Sequence, residues 1–294
     1  MSAADAAWLD AFMAAEALPP AFADIVEAVW RPLAGRIAQA AEGRGPGFIV
    51  GLCGAQGSGK STAAAVLVRL LEDQGLTAVS LSIDDFYLTR EERLELAARV
   101  HPLFAVRGPP GAHDVALAHT VFDALAKPGE TALPRFDKAA DTRKPPDQWD
   151  RVSGPVDVIL FEGWCVGARA QPRAALAEPV NALERERDPD GVWRGYVNAQ
   201  LEGPYRKLFE RIDRLVLIQA PGFKAVLAWR REQERKLRER LAREGRDPAL
   251  AMSDEAVADF IAYYERVTRH ILAEMPGRAD EVIRLDADRR PVGP

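Results

Sequence analysis

The chain has 294 residues, of which 48% are apolar and 28% are charged, so it has ample material for a folded core. This composition excludes disordered, collagen-like and coiled-coil chains. Its 44 acidic and 39 basic side chains give a net charge of −5, which argues against an overall positive field and against nucleic acid as a partner.

The predicted elements begin with an N-terminal helical extension over residues 1–44, because apolar residues between 22 and 37 recur three or four positions apart. Short runs of Val, Ile and Leu then alternate with helical or loop stretches, and we predict strands at 48–53, 77–83, 156–161, 215–219 and 282–285. Such alternation requires crossover connections. We therefore predict one α/β domain over 1–294, with three layers: a five-stranded, mostly parallel sheet between helices.

The clearest motif lies at residues 54–61. Their sequence, GAQGSGKS, matches the phosphate-binding P-loop pattern G-x-x-x-x-G-K-[ST], directly after a strand and before a helical run. The glycines allow a tight turn of backbone N–H groups, the lysine reaches the outer phosphates, and the serine can ligate Mg²⁺. We predict binding of ATP and Mg²⁺, with Lys60 catalytic, Ser61 a metal ligand, and a nucleotide site of Gly54, Ala55, Gln56, Gly57, Ser58, Gly59, Lys60, Ser61 and Thr62. The alternative is a glycine-rich turn without a ligand.

Two adjacent carboxylates, Asp84 and Asp85, follow the second predicted strand. They should emerge at the carboxyl end of the sheet, where open α/β folds bind ligands. Phosphoryl transfer to an alcohol needs a carboxylate that orients and deprotonates the attacking hydroxyl. We predict Asp84 as that base, Asp85 as a supporting group at the substrate and the metal, and Tyr87 at the substrate. The alternative is an Asp pair that caps a helix beginning near Phe86.

The segment 84–155 is long and proline-rich, and we expect a mainly irregular substrate-binding insertion there. His113 is a candidate substrate contact, although a lone histidine is more often a hydrogen-bonded structural residue. Arg135 and Lys138 are cations that suit an anionic substrate, with a surface ion pair as the alternative. The histidine spacings build no metal cluster.

The third predicted strand, at 156–161, runs directly into Glu162. An acid at the end of such a strand is the setting of a Walker B carboxylate, which holds Mg²⁺ directly or through water. We predict Glu162 as a metal ligand. The alternative is a carboxylate that merely ends a strand, and we interpret the following Trp164 and Cys165 as packing residues.

Residues 224–246 contain nine Lys or Arg and four Glu, many of them at i,i+4 spacing. This pattern is typical of a salt-bridged, solvated helix. Because the helix follows a strand end, we predict a lid-like helix over 222–246 in which Arg230 stabilises the transferring phosphoryl group. A further helix that opens at Ser253 is interpreted as packing.

Cysteine content and the N-terminus bear on the compartment. The two cysteines, Cys53 and Cys165, allow at most one bridge and have no CxxC spacing. The chain starts without a basic leader, and no apolar run approaches the ~20 residues that span a bilayer. We expect a cytoplasmic protein without a membrane partner, in an oligomeric state that the sequence leaves open.

In combination, these motifs resemble the D-glycerate 3-kinase family of plants, fungi and bacteria, within the P-loop kinases that include uridine kinase, phosphoribulokinase and bacterial pantothenate kinase. The main matches are GAQGSGKS at 54–61, SIDDFYLT at 82–89, RGPPGAHD at 107–114, PRFDK at 134–138 and ILFEGW at 159–164. Where the family often has Thr and Tyr, this chain has Ala112 and Phe136.

The resemblance implies transfer of the ATP γ-phosphoryl group to the 3-hydroxyl of D-glycerate, a small-molecule substrate. It also implies that Asp84 is the base, that Asp137 lies near substrate hydroxyls, and that the Arg230 region is the lid. The alternatives are a kinase for a nucleoside, pantothenate or sugar phosphate, and a P-loop ATPase switch. The absence of an Asn-Lys-x-Asp guanine-reading element argues against the switch.

Overall fold

The computed structural model describes residues 3–293, with side chains from residue 7 onward, so residues 1, 2 and 294 of the predicted domain lie outside it. The helices are α1 (Ala3–Ala15), α2 (Phe22–Ile25), α3 (Arg31–Ala41), α4 (Lys60–Glu72), α5 (Arg90–Arg99), α6 (Val115–Leu125), α7 (Ala182–Arg187), α8 (Val192–Glu202), α9 (Pro204–Phe209), α10 (Phe223–Arg243) and α11 (Asp254–Glu274). The strands are β1 (Phe48–Gly54), β2 (Ala78–Ser82), β3 (Gly129–Leu133), β4 (Phe136–Asp137), β5 (Thr142–Arg143), β6 (Asp150–Gly154), β7 (Val158–Gly163), β8 (Arg214–Gln219) and β9 (Glu281–Arg284).

The predicted five-stranded sheet is confirmed, with the order β2-β7-β1-β8-β9 and parallel pairing throughout. Every residue of β1 and β7 is buried, as expected of central strands covered on both faces. The register places Ser82 beside Glu162, and Cys53 beside Gly163. The carboxyl ends of β1, β2 and β7 therefore lie side by side at one edge of the sheet.

Helices flank the sheet, and the N-terminal extension packs against one of them, α4. Helix α4 packs against β1, β2, β7 and α3. Phe161 of β7 contacts the ring of Phe122 in α6, with ring centroids 5.1 Å apart. In the extension, Leu9, Trp30 and Leu33 are buried in the same core. Among the described helices, none is both long and apolar enough to cross a bilayer.

The segment 84–155 is more ordered than the mainly irregular insertion that the sequence predicted, and that expectation is wrong. It contains α5, α6 and two antiparallel strand pairs, β3 with β6 and β4 with β5. These strands are two to five residues long, and β6 carries a single half-buried apolar residue, Val152. So short and polar a strand has no clear apolar alternation, which is why the period-2 pattern did not detect it.

Candidate active site

The phosphate-binding loop lies between the carboxyl end of β1 and the first residue of α4, Lys60. Gly57 and Gly59 have φ angles of 77° and 82°, in the left-handed region that favours glycine. A Cβ atom on Gly57 would also lie 2.8 Å from the Cβ of Trp229 in α10. The loop therefore requires glycine at position 57 both for its turn and for its packing under α10.

A cleft of about 730 Å³ opens over this loop. The residues that line it include half of those predicted from sequence: Gln56, Gly57, Lys60, Ser61, Asp84, Tyr87, Lys138, Glu162 and Arg230. The other predicted residues do not line it: five of the phosphate loop and its helix, Gly54, Ala55, Ser58, Gly59 and Thr62, and four predicted near the substrate, Asp85, His113, Arg135 and Asp137. The structure thus brings together the phosphate loop, one carboxylate of the Asp pair, and the residues predicted as Walker B acid and lid arginine, Glu162 and Arg230.

Ser61 and Glu162 form a contact that suits a divalent cation. The Ser61 hydroxyl donates to Glu162 Oε1 at 3.0 Å, and Glu162 Oε2 is buried without a hydrogen-bond partner among the described residues. Such an oxygen needs a proton donor or a cation. No group of three or more His, Cys, Asp or Glu side chains in the described part of the chain is arranged to hold a metal. The Ser61–Glu162 pair, with a single carboxylate, suits Mg²⁺, which usually takes one or two protein carboxylates together with waters and phosphate oxygens.

Asp84 is a partly exposed carboxylate on the cleft wall. The ammonium of Lys138 donates to its Oδ2 at 3.0 Å, and 30% of the Asp84 side chain is exposed. Burial alone would raise the pKa of Asp84, but the charges of Lys138 and Lys60 oppose it and leave the pKa below its ordinary value. Asp84 is therefore ionised at neutral pH and able to accept a hydrogen bond.

Asp85 points away from Asp84 and into the insertion. Its Oδ1 accepts a hydrogen bond from the backbone N–H of Phe136 at 3.1 Å, and its Oδ2 accepts one from Nη1 of Arg135 at 3.1 Å. Burial raises the pKa of Asp85 despite these two contacts. Both oxygens are thus engaged in holding the strand that carries Phe136. Neither Asp caps the short helix Ile83–Phe86 that follows β2, because its N-cap is Ser82.

Arg135 and Asp137, which were predicted at the substrate, make structural contacts. Arg135 also pairs with Asp150, with Nε and Oδ2 2.6 Å apart. Asp137 Oδ1 accepts the N–H groups of Ala139 and Ala140, and these bonds lower the pKa of Asp137. Contact of either residue with a substrate stays a prediction.

His113 is buried behind the cleft wall, where it stacks on Tyr87 with ring centroids 4.3 Å apart. Tyr205 Oη lies 2.6 Å from His113 Nδ1 and accepts the backbone N–H of Gly111 at 2.9 Å. Burial lowers the pKa of His113 to about 4, which keeps the ring neutral. The ring supports Tyr87, which does line the cleft.

Arg230 projects from the first half of α10 into the cleft. Its Nη2 lies 2.5 Å from Oε1 of the buried Glu234, and its guanidinium lies 5.3 Å from the centre of the Phe260 ring. Elsewhere on the helix, the predicted solvated pair of Glu232 with Lys236 forms, with Oε1 and Nζ 2.9 Å apart. Arg230 is thus held at the cleft, while the basic residues farther along the helix include exposed ion pairs.

Three residues that line the cleft received no functional role from the sequence. Arg107 lay within the motif RGPPGAHD but received no role, and Trp164 and Tyr264 were interpreted as packing. Both aromatic residues are buried in the core and also present an edge to the cleft. A pattern of apolar spacing reports burial, and it does not separate a core position from the wall of a site.

Three comparisons place this geometry among known proteins. Residues 49–170 match the phosphoribulokinase/uridine kinase family. The uncharacterized kinase mug58 of Schizosaccharomyces pombe is 34% identical over 228 residues, which cover 74% of this chain and 78% of that protein. The chloroplastic D-glycerate 3-kinase of Arabidopsis thaliana is 31% identical over 265 residues, 84% of this chain, and the chain spans about half (54%) of its length.

A solved structure agrees with the fold. The D-glycerate 3-kinase from Cryptococcus neoformans var. grubii superposes with a TM-score of 0.71 at 25% sequence identity. The superposition covers 90% of this chain and 98% of that one.

Proposed function

Because the chain belongs to the phosphoribulokinase/uridine kinase family of P-loop kinases, we propose that it transfers the γ-phosphoryl group of ATP to a hydroxyl of a short hydroxy acid. D-Glycerate, converted to 3-phosphoglycerate, is the acceptor we propose, since two similar proteins carry the name D-glycerate 3-kinase. The observation that carries the proposal is the ionised Asp84 carboxylate in the same cleft as Lys60 and Ser61.

The nucleotide half of the site consists of the phosphate loop with the Ser61–Glu162 pair. Backbone N–H groups at the start of α4 and the Lys60 ammonium bind phosphate oxygens. Ser61 and Glu162 would hold Mg²⁺, which when bound would neutralise charge on the phosphate oxygens. Arg230, on the lid-like helix α10, lines the same cleft and offers a second cation to the phosphate oxygens.

The acceptor half consists of Asp84 and its neighbours on the cleft wall. Lys138 holds one carboxylate oxygen, and Tyr87 and Tyr264 line the same cleft. The ion pair positions the carboxylate so that its other oxygen can accept a hydrogen bond from the attacking hydroxyl and then take its proton. The neutral His113 ring behind Tyr87 supports this wall.

An acceptor panel tests the proposed function. ADP release is measured with MgATP and D-glycerate, uridine, pantothenate or no acceptor. We expect turnover with D-glycerate far above the others, and phosphate on the 3-hydroxyl of the product. Turnover with uridine or pantothenate alone would assign the cleft to another acceptor. ADP release independent of every acceptor would instead indicate an ATPase switch.

Glu162→Gln should raise the Mg²⁺ concentration needed for half-maximal activity by ~10- to 100-fold, the usual cost of altering a residue that orients a metal ligand. The substitution keeps the shape of the side chain but removes the charge that faces Ser61. The measurement is a Mg²⁺ titration at fixed ATP. Glu239→Gln is the matched control, since Glu239 also lines the cleft but pairs with the exposed Arg235 on α10. An unchanged Mg²⁺ requirement in the Glu162 variant would contradict the assigned metal site.

Lys138→Met should shift the acid limb of kcat/KM to higher pH. Lys138 lowers the pKa of Asp84 against the effect of burial, so its removal raises that pKa, and Asp84 is then protonated at a pH where it is normally ionised. The pH profile with saturating MgATP measures the shift. Lys138→Arg retains the cation and should retain the wild-type limb. Superimposable profiles for wild type and Lys138→Met would show that Asp84 is not the titrating base.

A further inference from the structure

Arg107 lines the cleft, and one edge of its guanidinium group has no hydrogen-bond partner among the described residues. Its Nη1 donates to Asp141 Oδ1 at 2.7 Å and to the carbonyl of Lys138 at 3.2 Å. Its Nε and Nη2 make no hydrogen bond to any described residue, and 28% of the side chain is exposed. Nε and Nη2 form the side of the guanidinium that offers two parallel N–H donors, the geometry that matches a carboxylate.

The side chain of Arg107 is held by a rigid scaffold. Its guanidinium lies 5.8 Å from the centre of the Phe136 ring, and the fully buried Arg93 lies 5.7 Å from the same centre. The same two arginines share the carboxylate of Asp141. The aromatic ring and the shared acid thus restrict the rotamers that Arg107 can adopt.

The backbone beside Arg107 is equally constrained. Gly108 has a φ of 136°, and a Cβ there would lie 2.5 Å from Tyr264 Oη. Its carbonyl accepts the indole N–H of Trp164 at 3.2 Å. Glycine at 108 therefore lets the chain lie flat against the aromatic wall, so that Arg107 enters the cleft from a fixed position.

Charge in this cluster is not balanced. Arg93 and Arg107 contribute two positive charges and Asp141 one negative charge, which leaves one positive charge at the cleft wall. The ammonium of Lys138 is paired with Asp84, and Arg230 is paired with Glu234. Arg243 also lines the cleft, but it lies 13 residues beyond Arg230 along α10, about 20 Å away. Lys60 also acts on Asp84, but it belongs to the phosphate loop, so the surplus positive charge on the acceptor side of the cleft is that of Arg107.

We infer that Arg107 binds the carboxylate of the acceptor through its Nε and Nη2 atoms, and thereby makes the kinase selective for hydroxy acids over neutral alcohols. This inference rests on the proposed kinase function. With its carboxylate on Arg107, a short hydroxy acid extends its hydroxyl toward Asp84, and the phosphate loop lies beyond it. Arg107 is in this assignment a specificity-determining residue, and Asp84 remains the base.

The test compares D-glycerate with glycerol, which has the same carbon skeleton but a hydroxymethyl group in place of the carboxylate. Arg107→Gln should raise KM for D-glycerate by ~10- to 100-fold, the cost of losing hydrogen bonds to a charged group. KM for ATP and kcat/KM for glycerol should stay near wild type, so selectivity between the two acceptors falls by the same factor. Arg107→Lys, which keeps the charge but loses the two parallel donors, should lie between.

Arg143→Gln is the matched control, because Arg143 lies in the neighbouring β5, pairs with Asp114 and does not line the cleft. Calorimetric titration of D-glycerate into each variant with MgADP bound gives a readout independent of turnover, and thermal melts confirm folding. Wild-type selectivity in a folded Arg107→Gln or Arg107→Lys protein would overturn the inference, as would a raised KM for ATP with an unchanged KM for D-glycerate. Failure of the proposed function has a different signature, since the wild type itself would then phosphorylate no hydroxy acid.

Discussion

Lys60→Ala should reduce kcat by about 10³-fold or more, a loss at or beyond that seen when one preorganised donor is removed from a reacting oxyanion. Lys60 is the first residue of α4 and lines the cleft, so its ammonium adds a full charge to the N–H groups at that helix end. The phosphoryl group carries its negative charge through the transition state, and no other loop residue supplies a cation there. ADP release in the presence of D-glycerate measures the loss.

Lys236→Ala is the matched control for Lys60→Ala. Lys236 lies on α10, lines the same cleft and forms an exposed ion pair with Glu232, so it carries the same charge as Lys60 but is not part of the phosphate loop. We expect kcat in this variant to stay within a few fold of wild type, because exposed i,i+4 pairs contribute little. Near-normal activity of Lys60→Ala would remove the phosphate-loop assignment together with the nucleotide half of the site.

The sequence could predict those parts of the site in which neighbouring residues determine the geometry. A phosphate loop needs a strand, a glycine-rich turn and a helix in immediate succession, and Gly54 to Ser61 supplies all three. Glu162 could be predicted because it lies at the carboxyl end of a fully buried strand. The family resemblance rested on such local motifs, and the similarity to other kinases confirms it.

The acceptor half depends on tertiary contacts that a linear pattern does not contain. Asp84 and Asp85 are adjacent and chemically equivalent, yet one pairs with Lys138 at the cleft and the other with Arg135 inside the insertion. His113 similarly has a suggestive sequence context, but Tyr205, far along the chain, holds it behind the wall. Which side of a loop a polar residue faces is decided by partners that are distant in sequence.

Phe136 shows how a departure from the family pattern can be accommodated. Where the family often has a tyrosine, this chain has a ring that lies 5.7 and 5.8 Å from two guanidinium groups and packs against Tyr87, with ring centroids 5.2 Å apart. The missing hydroxyl therefore falls in a cluster whose role is to position Arg107. This arrangement is consistent with a change at the acceptor pocket that leaves the phosphate loop unaffected.

Asp84→Asn should lower kcat by ~10²- to 10⁴-fold, the range for loss of a general base. The amide is nearly the same shape as the carboxylate, but it cannot take the proton of the attacking hydroxyl. Binding of MgATP, measured by calorimetry, should be retained, because the contacts of Lys60, Ser61 and Glu162 do not involve position 84. The loss should therefore lie in kcat and not in the affinity for nucleotide.

Asp85→Asn separates a base from a positioning residue. Asp85 holds Arg135 and the backbone of Phe136, so its loss should loosen the strand that supports Arg107 and raise KM for the acceptor more than it lowers kcat. If Asp85→Asn alone gave the large loss of kcat and Asp84→Asn did not, the two roles would be reversed. The raised pKa of Asp85 argues against that outcome, because burial there disfavours the charge that a base must carry before it accepts a proton, whereas Lys138 and Lys60 favour it at Asp84.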